Sequence, residues 1–186
     1  MNAVKAQVDR SVLIVVDLQP KFLAGIYERE RVLAHSKFLI QVANLLSVPV
    51  IVTEQNRERM GSTEEEVSQL IGREAIPKMS FSCCGSEDFN EAMVQARRTQ
   101  AILVGIETHI CVSQTAVDLI NRDIQVIVCP DAVSARTLEM HKLGMERVRD
   151  AGAWPLHSES VAYEWLGTAD SPHFRSMLNL VKQVNG

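Results

Sequence analysis

Three residues in this chain could act together on a carbonyl group. Cys111 follows the aliphatic run Ala101-Ile-Leu-Val-Gly-Ile106, within the stretch Gly105-Ile-Glu-Thr-His-Ile-Cys111-Val. Val112, Ala116, Leu119 and Ile120 then recur at helical spacing, so the thiol is expected in the first turn of a helix with Thr108 as its N-cap. The free amides and dipole of a helix N-terminus favour negative charge, which eases loss of the thiol proton and creates a nucleophile. Asp17 follows the aliphatic run Val12–Val16, where partial desolvation suits a carboxylate to proton transfer. A turn-capping role is the plainer reading of Asp17 taken by itself. Lys78 stands in Pro77-Lys-Met-Ser-Phe81. Most lysines are solvated, but one in such apolar company could hold Asp17 ionised and lower the thiol pKa.

These residues need a scaffold that brings strand ends together. Short apolar runs at 12–16, 48–53, 75–79, 101–106, 125–129 and 153–157 alternate with helical patterns near 28–46, 64–71, 86–98, 110–121 and 138–151, and one or two helices close the chain by about 184. The segments 54–61 and 130–136 read as loops. Such alternation predicts a three-layer α/β/α fold with a mainly parallel, Rossmann-like sheet of six strands. Ligands of these sheets bind at the carboxyl ends of the strands, where the strand order reverses. Asp17, Gln19, Gln55 and the 107–111 segment all fall just after strands.

With 186 residues, 46% hydrophobic and 23% charged, the chain fits one domain, 1–186, with a short N-terminal tail over 1–10. A net charge of −4 without a basic block argues against nucleic acid as a partner, and no apolar run is long enough for a membrane span. No signal-like core precedes the first strand, so a cytoplasmic protein is expected. The cysteines at 83, 84, 111 and 129 form no CxxC pair or disulfide framework, and Cys83, Cys84 and Cys129 read as small hydrophobes. His35, His141, His157 and His173 are scattered, with no ligand-like grouping. His109 has no assigned role.

Val-Val-Asp17-Leu-Gln19, Val50-Ile-Val-Thr-Glu54-Gln55, Pro77-Lys78-Met-Ser-Phe81, Gly105-Ile-Glu-Thr-His-Ile-Cys111-Val and Asp131-Ala-Val-Ser-Ala-Arg136 together resemble the isochorismatase-like cysteine hydrolase superfamily, which includes nicotinamidases and N-carbamoylsarcosine amidohydrolases. The similarity runs from about residue 10 to about 182. It implies a triad of Asp17, Lys78 and Cys111. It also implies a non-proline cis peptide, Ile106–Glu107, that aims the Glu107 amide together with the Cys111 amide at one oxygen as an oxyanion hole. Asp17 would take the thiol proton, the sulfur would attack a carbonyl carbon, and a thioester would form and be hydrolysed. Gln19, Phe22, Gln55 and Phe81 are the expected pocket residues, and the resemblance implies a homo-oligomer, from dimer to octamer. The stretch 166–184 is either an interface element or, more simply, a helix packed on its own domain.

Two departures narrow the chemistry. The nicotinamidases hold a metal with histidines after the second strand, whereas Thr53-Glu-Gln-Asn-Arg57 has none; no metal, no organic cofactor and no nicotinamide substrate are expected. Members acting on the vinyl ether of isochorismate lack the cysteine that this chain carries. The expected activity is hydrolysis of a non-peptide C–N bond in a small amide or ureido compound. A non-catalytic or regulatory binding module, a vinyl-ether hydrolase and a thiol redox protein are the alternatives.

Overall fold

The computed structural model describes residues 4–185. Its elements follow in the order β1 (Ser11–Val16), α1 (Pro20–Leu23), α2 (Arg29–Leu45), β2 (Val50–Gln55), α3 (Arg57–Met60), α4 (Glu65–Ile71), β3 (Ile76–Lys78), α5 (Glu87–Ala96) and β4 (Gln100–Ile106). A π-helical turn (Thr108–Val112) leads into α6 (Ser113–Ile120), then β5 (Gln125–Ser134), α7 (Leu138–Asp150), β6 (Trp154–Pro155), α8 (Ser158–Leu166) and α9 (Phe174–Asn185). The sheet has the order β3-β2-β1-β4-β5-β6 and every pairing is parallel. The order reverses between β1 and β4, which is where the general rule for open α/β sheets places the ligand crevice.

Alternation along β1 divides the core. Leu13 and Val15 face one layer with Phe38, Leu39, Val42 and Met177 from α2 and α9. Val12, Ile14 and Val16 face the other with Phe89, Ala116, Leu119 and Val148 from α5, α6 and α7. Successive strand residues point to opposite faces, so a strand covered on both sides is apolar on both. All six residues of β1 are buried, and its polar first residue, Ser11, donates to Gln100 Oε1 (2.7 Å) and accepts from Trp165 Nε1 (2.9 Å). Helix starts show capping chemistry: the Ser86 hydroxyl accepts from the Phe89 amide at the start of α5, and Thr137 accepts from Met140 at the start of α7. Pro77 lies in the edge strand β3, a position that spares a central ladder the loss of its N–H.

The structure departs from the sequence reading in several places. The expected tail is packed from residue 4 onward: Ala6 is buried and its amide donates to Glu164 Oε2 (2.6 Å), and Gln100 Nε2 donates to the Lys5 carbonyl (3.1 Å). The segment 130–136 is not a loop, because β5 continues to Ser134. Leu103 pairs with Val128 but Gly105 pairs with Val133, so the intervening residues, Pro130 and Asp131 among them, bulge away from the ladder. Within 54–61, β2 runs on to Gln55 and α3 follows it. The stretch 166–184 contains α9, which seats Met177 and Val181 on α2 in the domain's own core. His35 and His157 are not scattered, since both reach Asp131 in the β5 bulge.

Candidate active site

Register brings the first two residues together. Val16 pairs with Thr53 on β2 and with Gly105 on β4, and Gln55 pairs with Lys78 on β3. Asp17 therefore leaves β1 between its two neighbours, in a left-handed backbone conformation (φ 53°) that short polar side chains tolerate better than most. Gly105 permits this close approach. It has φ 110°, and a Cβ there would lie 2.1 Å from the Val16 carbonyl oxygen.

Both Asp17 carboxylate oxygens are held. Thr53 Oγ1 donates to Oδ1 (2.8 Å), and Lys78 Nζ donates to Oδ2 (2.7 Å). The Lys78 ammonium also donates to Gln55 Oε1 (2.7 Å) and to the carbonyls of Ser80 (3.2 Å) and Phe81 (3.1 Å). Its side chain is 0% exposed and that of Asp17 2%. A buried ion pair persists only when such additional hydrogen bonds offset the loss of hydration. Thr53, which orients the carboxylate, escaped the sequence reading. Its place at the end of β2 carries a signal only once β2 is known to flank β1.

Cys111 sits in the π-helical turn Thr108–Val112, not in the first turn of an α-helix. The amides of Ile110 (3.0 Å) and Val112 (3.2 Å) both donate to the Glu107 carbonyl. Thr108 is not the cap; its hydroxyl meets His141 Nδ1 (3.0 Å) on α7. That helix lies against the turn so tightly that a Cβ on Gly144 would be 2.8 Å from the His109 amide nitrogen. The Ile106–Glu107 peptide is cis. Arg136 holds the Glu107 side chain through Nε (3.1 Å) and its backbone amide (3.3 Å).

The electrostatics reverse the expectation of a ready thiolate. Burial pushes the Cys111 thiol pKa up, the Asp17 charge and its hydrogen bond push it further, and the opposing pull of Lys78 is smaller. At neutral pH the resting site holds a protonated thiol beside a carboxylate that can accept its proton. Cys83 lies beneath, with its sulfur 3.7 Å from Thr53 Oγ1. Burial, then Asp17, raise its thiol to about 11.

A cavity of about 60 Å³ opens at this site, lined by Asp17, Phe22, Gln55, Phe81, Ile106, Glu107, Ile110 and Cys111. Of the residues expected around a pocket, Phe22, Gln55 and Phe81 line this cavity and Gln19 does not. The Gln19 side chain is buried and spent on structure: Nε2 donates to the carbonyls of Gln55 (3.1 Å) and Gly61 (2.6 Å), and Oε1 accepts from the Gln55 amide (2.8 Å). It fastens the end of β2 to the loop beyond α3. His109 is likewise absent from the lining, and its Nδ1 is buried without a hydrogen-bond partner among the described residues.

The family model for the isochorismatase domain matches residues 11–160. The secreted isochorismatase effector Isc1 of Phytophthora sojae is 34% identical over 178 residues, covering 93% of this chain and 85% of that protein. Isochorismatase domain-containing protein 2 of Bos taurus is 32% identical, covering 93% and 83%. Among solved structures, the MAR1 ribonuclease from Caenorhabditis elegans superposes with a TM-score of 0.91 at 32% identity, covering 96% of this chain and 93% of that one. The Escherichia coli YcaC gene product, described as an octameric hydrolase of unknown specificity, has the same fold, with a TM-score of 0.88 at 20% identity over 100% of this chain and 98% of that one. With the domain match spanning the strand ends that carry Asp17, Lys78 and Cys111, this chain belongs to the isochorismatase family of hydrolases.

Proposed function

We propose that this chain is a cysteine hydrolase that cleaves a non-peptide C–N bond in a small amide or ureido compound. The observation that carries this reading is the meeting of Cys111 and Asp17 on one cavity, with the Asp17 carboxylate held in place by Lys78 and Thr53. Asp17 accepts the thiol proton as sulfur attacks the carbonyl carbon, and the Glu107 and Cys111 backbone amides receive the oxyanion. Asp17 then passes the proton to the departing nitrogen as the C–N bond breaks, leaving a thioester on Cys111. Water yields a proton to Asp17 and attacks the thioester; the acid departs and the thiol is restored. Lys78 serves to fix the carboxylate through its bond to Asp17 Oδ2.

The substrate class follows from the cavity walls. Phe22, Phe81, Ile106 and Ile110 are apolar, and Gln55 is committed, its Oε1 to Lys78 and its Nε2 to the Met79 carbonyl (2.8 Å). A short aliphatic acyl group fits this lining better than a charged one. Among the described residues no lysine or arginine lines the cavity, so a phosphodiester of RNA, the substrate class in the name of the Caenorhabditis elegans relative, finds no cation in that lining. A panel of short-chain amides and ureido compounds, assayed for ammonia release, tests the reading. Turnover of at least one member is expected to vanish in Cys111→Ser, and turnover indifferent to that change would refute it.

As in the octamer described for the Escherichia coli neighbour, we expect a homo-oligomer, visible by light scattering as a multiple of the 20.7 kDa chain. Four free, buried thiols suit a reducing compartment such as the cytoplasm. Among the described residues no helix is long and apolar enough to cross a membrane.

A further inference from the structure

The geometry points to a binding site for a divalent transition-metal ion, zinc by its donor set, formed by His35, Asp131 and His157. The three come from separate elements: His35 from the middle of α2, Asp131 from the bulge in β5, and His157 from the residue that precedes α8. None of them lines the cavity around Cys111.

Both imidazoles converge on the same carboxylate oxygen. His35 Nδ1 lies 3.1 Å and His157 Nε2 3.5 Å from Asp131 Oδ2, and one ligand atom from each residue falls within 4.8 Å of the others. A tetrahedral zinc ion with bonds of about 2.0–2.1 Å to nitrogen and oxygen spaces its ligands by roughly 3.3 Å. The two measured separations bracket that spacing. The rings meet edge to face at 5.5 Å and 81°, which lets each present a nitrogen to one point without stacking. Two histidines and one carboxylate form a common zinc set that leaves a fourth position for water. The His157 side chain is 51% exposed and that of His35 14%, so the group opens to solvent on the His157 side.

Hydrogen bonds position the three ligands. Asp131 Oδ2 already accepts from the Ser158 hydroxyl and from the Ser158 amide (3.2 Å), while Oδ1 has the Ser158 amide alone (3.0 Å). His35 Nδ1 also lies 3.1 Å from the Ser158 hydroxyl, and His157 Nδ1 accepts from the Glu159 amide (3.2 Å). An ion on the two imidazoles and Oδ2 takes the place of these imidazole contacts, with His157 carrying its remaining proton on Nδ1. The Ser158 bonds then act as the outer shell that orients the ligating carboxylate. Such an ion would tie α2, the β5 bulge and the start of α8 together, apart from the chemistry at Cys111.

Cobalt(II) is the probe, added to chain first dialysed against a chelator. The expected result is the intense visible absorption of a tetrahedral cobalt site at one ion per chain, displaced by zinc. It should persist in Cys111→Ser and be lost in His157→Ala and in His35→Gln, each with Kd weakened by more than about tenfold. His157 is 51% exposed but caps α8 through Nδ1, so circular dichroism checks that its loss leaves the fold intact. Absence of the band at millimolar cobalt, its retention in both histidine variants, or a near-ultraviolet thiolate charge-transfer band that places the ion on a cysteine would each overturn the assignment.

Discussion

Cys111 keeps its proton in the resting site because burial and the Asp17 charge both oppose a thiolate, and only Lys78 favours one. Base and charge partner thus act on the thiol in opposite senses, which makes their roles separable. In Asp17→Asn the negative charge is gone and Lys78 remains, so Cys111 is expected to react with iodoacetamide faster at neutral pH while turnover falls about 10²–10⁴-fold for want of a base. Lys78→Met should slow alkylation, since an unpaired carboxylate then faces the thiol. Breaking this buried pair costs about 3–5 kcal/mol, so both variants are compared below their melting temperatures. Equal alkylation rates in all three proteins would show that these charges do not govern the thiol. Asp17 and Cys111 stood out in the sequence because each follows a strand, Lys78 because of its apolar company, and the three because their ordered motifs resemble those of a family. Thr53 and the true employment of Gln19 were not, because each depends on which strands lie side by side.

The turn that carries Cys111 is shaped from outside. Gly144 of α7 lies against the backbone of Thr108 and His109, with no room for a methyl group. Gly144→Ala must shift α7 or the turn by a few tenths of an ångström or more. Overpacking of this kind costs about 1–3 kcal/mol, and its effect on kcat/KM is expected to exceed that of an equally destabilising change remote from the turn. Kinetics alongside urea denaturation measure both, and unchanged kcat/KM would mean that the turn's position does not matter. Helical spacing after residue 111 announced a helix here, but a π-turn and an α-turn share the same apolar stripe in sequence. Similarly, Pro130 marked the end of β5 in the sequence, whereas the bulge lets the strand pass it and pair again at Val133.

At the scale of the molecule, strand–helix alternation was enough to establish a parallel, three-layer fold, because each fully apolar strand needs cover on both faces. It could not reveal the cluster of His35, Asp131 and His157, whose members belong to three different elements. The same two-sided burial has a thermodynamic consequence. The Cys83 thiol is raised from 9.0 to about 11 in the folded chain, and burial likewise raises Cys84, Cys111 and Cys129. Above pH 9 an unfolded chain releases thiol protons that the folded chain still holds, so stability must fall as pH rises. For Cys83 the loss is complete near pH 11 and amounts to roughly 3 kcal/mol. Urea unfolding at pH 8 and pH 10 should show it, with a shallower decline in Cys83→Ala; a stability that rises over this interval would contradict the burial account.

The most direct test of the account is to trap the covalent intermediate. Wild-type chain mixed with a turned-over short-chain amide, quenched in acid and digested, is expected to carry the acyl group as a thioester on the Cys111 peptide by mass spectrometry. In Asp17→Asn the acyl group should form far more slowly, since the variant lacks the base that starts the reaction. Substrate hydrolysed at the wild-type rate by Cys111→Ser, together with no acyl group on Cys111 of the wild-type chain at any time point, would contradict the account.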